Sequence, residues 1–133
     1  MRRITCLLLA AGLALAGPAF AHHSLIGYDQ AKRVTLEGVV ADFRFGNPHP
    51  FLTINVGPDR HAWRLEMDNL YELKEIGITR DTFQPGQKVV VSGAPDRTGA
   101  SQLYLYRLDR PAAGLQYEQI GFTPYLRTVP KGR

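Results

Sequence analysis

Apolar and polar residues alternate along most of the chain between Val34 and Asp109, and this period of two predicts strands. Val34 and Leu36 share one face of the first, opposite Thr35 and Glu37. After Gly38 the phase slips, and Val39, Ala41, Phe43 and Phe45 become the apolar set. A glycine at a phase slip reads as a β-bulge, which bends a strand as a small closed sheet requires. "GNPHP" then ends the strand, because proline cannot donate to a ladder. Leu52, Ile54 and Val56 mark a second strand and Trp63, Leu65 and Met67 a third, joined by the turn "GPDR" as a hairpin.

The period then changes. Leu70, Leu73 and Ile76 recur at three-residue steps and predict a short helix. Asn69 with Glu72 resembles a capping box, and Gly77 is a natural stop. After the turn "FQPGQ", "KVVVSG" and "SQLYLYRLD" are strands four and five. The order β-β-β-α-β-β is that of a Greek-key OB barrel. The predicted fold class is therefore all-β with one short helix, a five-stranded OB-like β-barrel over residues 33–110. Residues 22–32 carry no period and form an N-terminal arm. Residues 111–133 form a C-terminal tail whose Tyr117, Phe122 and Tyr125 are candidates to pack across the barrel, and the closing "TVPKGR" has the composition of a disordered end. The chain contains no internal repeat.

The first 21 residues follow another pattern. Arg2 and Arg3 precede the apolar run "ITCLLLAAGLALAG", and Ala19-Phe20-Ala21 fits a small-x-small cleavage site. This is the layout of a secretory signal peptide, residues 1–21, and predicts a periplasmic or secreted protein. The run contains glycines and ends at Pro18, whereas a bilayer span needs about 20 apolar residues, so no membrane span is expected in the mature chain.

Removing the leader changes the charge. The formal net charge of +4 falls to +2 once Arg2 and Arg3 are gone. That balance gives no case for nucleic acid, which calls for a clustered basic stripe. A sheet could bring Arg60, Arg64, Arg107 and Arg110 together, but a solvated strand face is the simpler reading. The only cysteine, Cys6, lies in the leader, so the mature chain has neither disulfide nor thiolate site and must be held by its core.

The histidines carry the candidate chemistry. No nucleophile elbow surrounds Ser24, Ser92 or Ser101, and the chain has no phosphate loop and no "HExxH". Glu72 and Glu75 fit a solvated helix face, so no catalytic constellation is visible. All four histidines, by contrast, lie in the mature chain: His22, His23, His49 and His61. Cleavage after Ala21 would make His22 the first residue, with an amine that titrates at about 8 beside its own imidazole. Amine and ring Nδ1 can chelate one ion, and a second imidazole completes a three-nitrogen set of the kind that favours Cu(II). His23 offers a further route, since a histidine at position two lets amine, amide nitrogen and imidazole bind Cu(II) together. A solvated polar start, or a weak tag-like zinc binder, would look the same in sequence.

His49 is the favoured distal ligand, because prolines on both sides in "NPHP" pin its backbone. A solvent-facing turn, or a ring that caps the barrel, is the plainer reading. His61 shares the parity of Trp63 and reads equally as a half-buried packing residue. Asp29, Asp42 and Glu66 are all available to orient an imidazole from outside the ligand set. Tyr104 and Tyr106 share a face of strand five and offer a stacking platform for a peptide or sugar, unless the tail covers them.

"AHHSL", "LEGVVADFRFGNPH", "WRLEM" and "PGQKVVVSGAP" together resemble a bacterial family of small exported proteins, domain-of-unknown-function family 6152. Its members begin the mature chain with His-His-Ser and an aromatic, and continue through "V-x-G-x-V", "NPH", "W-x-x-E" and "PG-x-x-V-x-V-x-G". The resemblance spans about Ala21 to Asp109 and covers His22, His23, Ser24, Asn47, Pro48, His49, Trp63 and Glu66. Leu25 departs from the aromatic, and "LEMDN" replaces a more glycine-rich segment. The resemblance implies export and a small β-barrel; a copper ion as cofactor follows from the residue chemistry alone. The expected function is metal carriage, sensing or sequestration, with a metal-free binding module for a peptide, sugar or envelope protein partner as the alternative.

Overall fold

A computed structural model describes residues 25–121 and 123–128. The leader, His22 and His23 lie outside the described residues. Strands β1 (Val34–Arg44), β2 (Phe51–Val56) and β3 (His61–Glu66) form an antiparallel meander. Helix α1 (Leu70–Glu75) leads to β4 (Lys88–Pro95) and β5 (Gln102–Arg110). β4 pairs antiparallel with both β1 and β5. The sheet closes on itself where Arg64–Glu66 of β3 run parallel to Gln102–Tyr104 of β5. The result is a closed five-stranded, OB-like barrel with one short helix, as the element order predicts.

Alternation fills the interior. Leu52 and Ile54 of β2, Leu65 of β3, Val89 and Val91 of β4, and Leu103, Leu105 and Leu108 of β5 are buried together. Each such aliphatic side chain contributes about 1.5–3 kcal/mol by leaving water. α1 covers one end of the barrel by burying Leu73 completely and Ile76 partly. Its caps are as the sequence implies: Asn69 accepts from the Glu72 amide at 2.9 Å. Gly77, at φ 89°, closes a Schellman motif in which the Ile78 amide reaches the Leu73 carbonyl at 2.9 Å.

Three expectations are corrected. The first strand does slip phase, but at Ala41 rather than Gly38: pairing with β2 passes from Val40 to Asp42, so Val40, not Val39, enters the core. Gly38 has a different role, since a Cβ there would lie 2.8 Å from the Asn55 carbonyl oxygen of the adjoining strand. The tail is the second correction. Leu115–Ile120 and Thr123–Thr128 form a hairpin, β6 and β7, and β6 pairs with the Arg107–Arg110 half of β5. β5 thus closes the barrel with its first half and carries the hairpin on its second. Tyr117 of β6 is fully buried in the main core, as its aromatic character predicts.

The third correction concerns Tyr104 and Tyr106. Tyr104 is only 4% exposed, packed with Tyr28 and Ala94, and Leu25 and Tyr106 flank that cluster. The Arg33 guanidinium lies 3.7 Å above the Tyr106 ring. The N-terminal arm, not the C-terminal tail, covers this face, so Tyr104 is not available as a stacking platform.

Candidate functional site

The "NPHP" loop is clamped between the end of β3 and the start of α1. The Met67 amide donates to the Pro50 carbonyl at 3.0 Å, and the Leu70 amide to the Pro48 carbonyl at 3.3 Å. His49 is held within this clamp. Its Nδ1 lies 3.1 Å from the Met67 carbonyl oxygen. A carbonyl can only accept, so Nδ1 carries the proton, and in the neutral ring Nε2 is the nitrogen with the lone pair. This is the arrangement by which a backbone carbonyl orients a metal-binding imidazole. The side chain is 20% exposed, so the ring is reachable from solvent.

Glu66, the last residue of β3, stands beside it. Its Oε1 lies 3.9 Å from His49 Nδ1, while its Oε2 accepts a hydrogen bond from the Tyr28 hydroxyl at 2.7 Å. Burial, then the hydrogen bond to Glu66, push the Tyr28 phenol well above its ordinary value, so it stays a donor. Tyr28 belongs to the arm, which adds a bridge to the barrel rim. The Asp29 amide donates to the Pro95 carbonyl at 2.8 Å, and the Arg97 amide to the Gly27 carbonyl at 2.9 Å. Leu25, the first described residue, packs against the Tyr28–Tyr104 cluster. Tyr28 thus joins the arm to Glu66, which stands beside the "NPHP" loop.

Negative charge gathers at this end. Asp68 is buried beyond Glu66, where its Oδ2 accepts from Gln119 Nε2 at 2.5 Å. Gln119 Oε1 in turn accepts from the buried Tyr117 hydroxyl at 2.8 Å. The adjacent Asp68 carboxylate, to which a protonated Glu72 can donate, raises the Glu72 carboxyl above its ordinary value, and burial adds to the effect. Glu72 Oε2 is itself buried without a hydrogen-bond partner. Burial first, and then Asp68 and Glu66, likewise raise the Tyr104 phenol. Sequence reasoning passed over Tyr28, Asp68, Gln119 and the inward role of Glu72.

The other candidates fall elsewhere. His61 begins β3 opposite Val56, five residues before Glu66. At about 3.3 Å per residue it lies roughly 16 Å from the Glu66 end, too far to share an ion with His49. It is exposed, with Nε2 2.6 Å from Ser101 Oγ and its ring edge-on to Trp63 at 6.3 Å. Of the three carboxylates expected to orient an imidazole, Glu66 alone lies beside one, at 3.9 Å and beyond hydrogen-bond distance, so the Met67 carbonyl and not a carboxylate orients His49. Asp29 pairs with Lys32 at 3.3 Å, and Asp42 lines an open groove with Arg80. The arginines do not form a stripe: Arg107 pairs with Asp109 and Glu118, Arg110 donates to the Thr82 carbonyl, and Arg64 stacks on Phe51. Among the described residues no three His, Cys, Asp or Glu side chains converge on a metal-binding position, and no helix is long and apolar enough to cross a membrane. His22 and His23 lie outside those residues.

A sequence model described as a family of unknown function, DUF6152, matches residues 11–103. No curated protein matches the chain.

Proposed function

The chain belongs to the family of unknown function DUF6152, and from its geometry at His49 we propose that it is an exported metal-binding barrel that holds Cu(II). The ion would lie between His49 Nε2 and the amine and imidazole of a chain processed to begin at His22, with His23 as an additional or alternative ligand. The role is carriage, sensing or sequestration. The observation that carries this reading is the 3.1 Å contact from His49 Nδ1 to the Met67 carbonyl, which fixes the tautomer and leaves Nε2 as a free nitrogen donor.

Two further observations support it. Glu66, Asp68 and Glu72 surround this end of the barrel with carboxyl groups, which favours a cation. The described arm packs Leu25 on the Tyr28–Tyr104 cluster, and the Tyr28 hydroxyl donates to Glu66 beside His49. A metal-free module that stacks ligands on Tyr104 is less well supported, because Leu25 and Tyr28 already cover that ring.

The test compares Cu(II) affinity for two purified proteins, one beginning at His22 and one retaining a methionine before it. The free amine is part of the proposed ligand set, so the extended chain should bind more weakly by at least about tenfold. Equal affinity in the two would reject the terminal-amine site, and no uptake by either would reject metal binding.

A further inference from the structure

We infer that Arg110 and Lys88 form a binding site for a phosphate group, in the cavity between the start of β4 and the turn that follows β5. The cavity has a volume of about 390 Å³ and is lined by Gly86, Gln87, Lys88, Arg110, Ala112 and Ala113. Two of these residues are cationic and none is acidic. Neither cation forms an ion pair with a carboxylate among the described residues. The site shares no residue with the His49 end of the barrel and does not depend on copper.

Arg110 is held at one end only. Its Nη1 donates to the Thr82 carbonyl at 2.7 Å and to Gln87 Oε1 at 2.9 Å. Both acceptors belong to a loop that is itself fixed. Gln87 Oε1 also accepts from the Gln84 amide at 3.0 Å, and the Val40 amide of β1 donates to the Gln87 carbonyl at 2.8 Å. With Nη1 engaged, Nε and Nη2 remain, and these two form the edge by which a guanidinium takes two oxygens of an anion side-on. Nε is buried with no hydrogen-bond partner. A charged N–H shut away from water without an acceptor costs free energy, and a phosphate oxygen supplies the acceptor. Lys88 adds a second positive charge, which matches a phosphate dianion better than a carboxylate. The adjoining groove along Val39, Val90 and Pro111 also reaches Lys88, and it has room for the organic part of a phosphate ester.

The experiment titrates the metal-free protein beginning at His22 with inorganic phosphate, phenyl phosphate and acetate, near pH 8 and at constant ionic strength. Calorimetry gives the affinity, and nitrogen–proton correlation NMR follows the Arg110 Nε–H resonance. Both phosphates should move that resonance and bind about tenfold or more tightly than acetate. R110K, which keeps the charge but loses the fork, and K88Q should each weaken phosphate binding by about tenfold or more. A thermal melt reports the fold of each variant, and K88Q, at an exposed position, carries the test if R110K melts early. Tighter binding of phenyl phosphate than of inorganic phosphate would assign an ester lying along Val90 and Pro111, and equal binding a free phosphate ion. An Nε–H resonance unmoved by phosphate would overturn the inference, as would acetate binding as tightly as phosphate, or unaltered phosphate affinity in K88Q.

Discussion

A Cβ added at Gly93 would fall 2.1 Å from the Tyr104 carbonyl oxygen on the neighbouring strand. No rotamer change relieves that clash, because the obstacle is backbone. It occurs where pairing between β4 and β5 slips: Ser92 faces Arg107, Gly93 faces Leu105, and Tyr106 is left over. G93A should therefore destabilise the barrel by about 1–3 kcal/mol or more, read as a lower midpoint in denaturant. An unchanged midpoint would show that β5 can move away at no cost. The arm packs on Tyr104, so faster proteolysis near Leu25 should accompany the loss.

The hairpin after Pro111 belongs to the core rather than trailing from it. Tyr117 on β6 is fully buried among residues from the barrel, and its hydroxyl donates to Gln119. Y117A should cost about 3–5 kcal/mol, as removal of a buried aromatic does. Y117F, which loses only the hydrogen bond, should cost about 1 kcal/mol. A chain ended at Arg110 removes β6 altogether and should melt at a lower temperature than the full chain. Equal melting of the shortened and full chains would restore residues 33–110 as a self-sufficient unit.

The same hairpin shows why part of the fold was hidden in the sequence. β2 and β3 were legible because each has one buried face, so burial and alternation carry the same message. β6 reads "LQYEQI", and Gln116, Glu118 and Gln119 are buried along with Tyr117. Those polar residues are satisfied across strands, Glu118 by Arg107 at 3.0 Å and Gln116 by Asp109 at 2.5 Å. Periodicity in hydrophobicity cannot register a strand buried through polar pairs. The bulge in β1 was misplaced for another reason: Val39 and Val40 are identical, and only pairing with β2 decides which enters the core. The loop that holds His49 was legible from its prolines, whereas the Tyr28–Glu66 hydrogen bond beside it joins distant parts of the chain and leaves no local trace.

Glu72 predicts a pH dependence with a definite sign. Asp68 first, and then burial, raise its carboxyl in the folded state. A raised folded value means that the protonated form is the stabilised one. That contribution is complete below the unfolded carboxylate value, about 4.3, and is lost as pH rises through the folded value. E72Q keeps a neutral donor toward Asp68 at every pH. It should match the wild type near pH 4, and melt at an equal or higher temperature near pH 7. A variant less stable than the wild type near neutrality would show that the Glu72 charge is favourable, contrary to its buried and unpartnered Oε2.

His49 and His61 make opposite predictions although both are histidines of the same hairpin region. His49 donates Nδ1–H to the Met67 carbonyl beside Glu66, while His61 stands at the far end of β3 with its Nε2 against Ser101. A ligand that binds only the folded state raises stability, by about 2.7 kcal/mol at a hundredfold excess over its Kd. For a domain of this size such a gain moves the melting temperature by about 10 °C. Cu(II) added to protein beginning at His22 should therefore raise the melting temperature of the wild type and of H61A alike. H49A should lose most of that rise, because it removes the one imidazole held in a metal-ready tautomer among the described residues near the arm. An N-terminal pair that bound copper without the barrel would produce no rise in any variant, since binding equally to folded and unfolded chains shifts nothing. The three melts thus separate a site built by the fold from one carried by the first two residues alone.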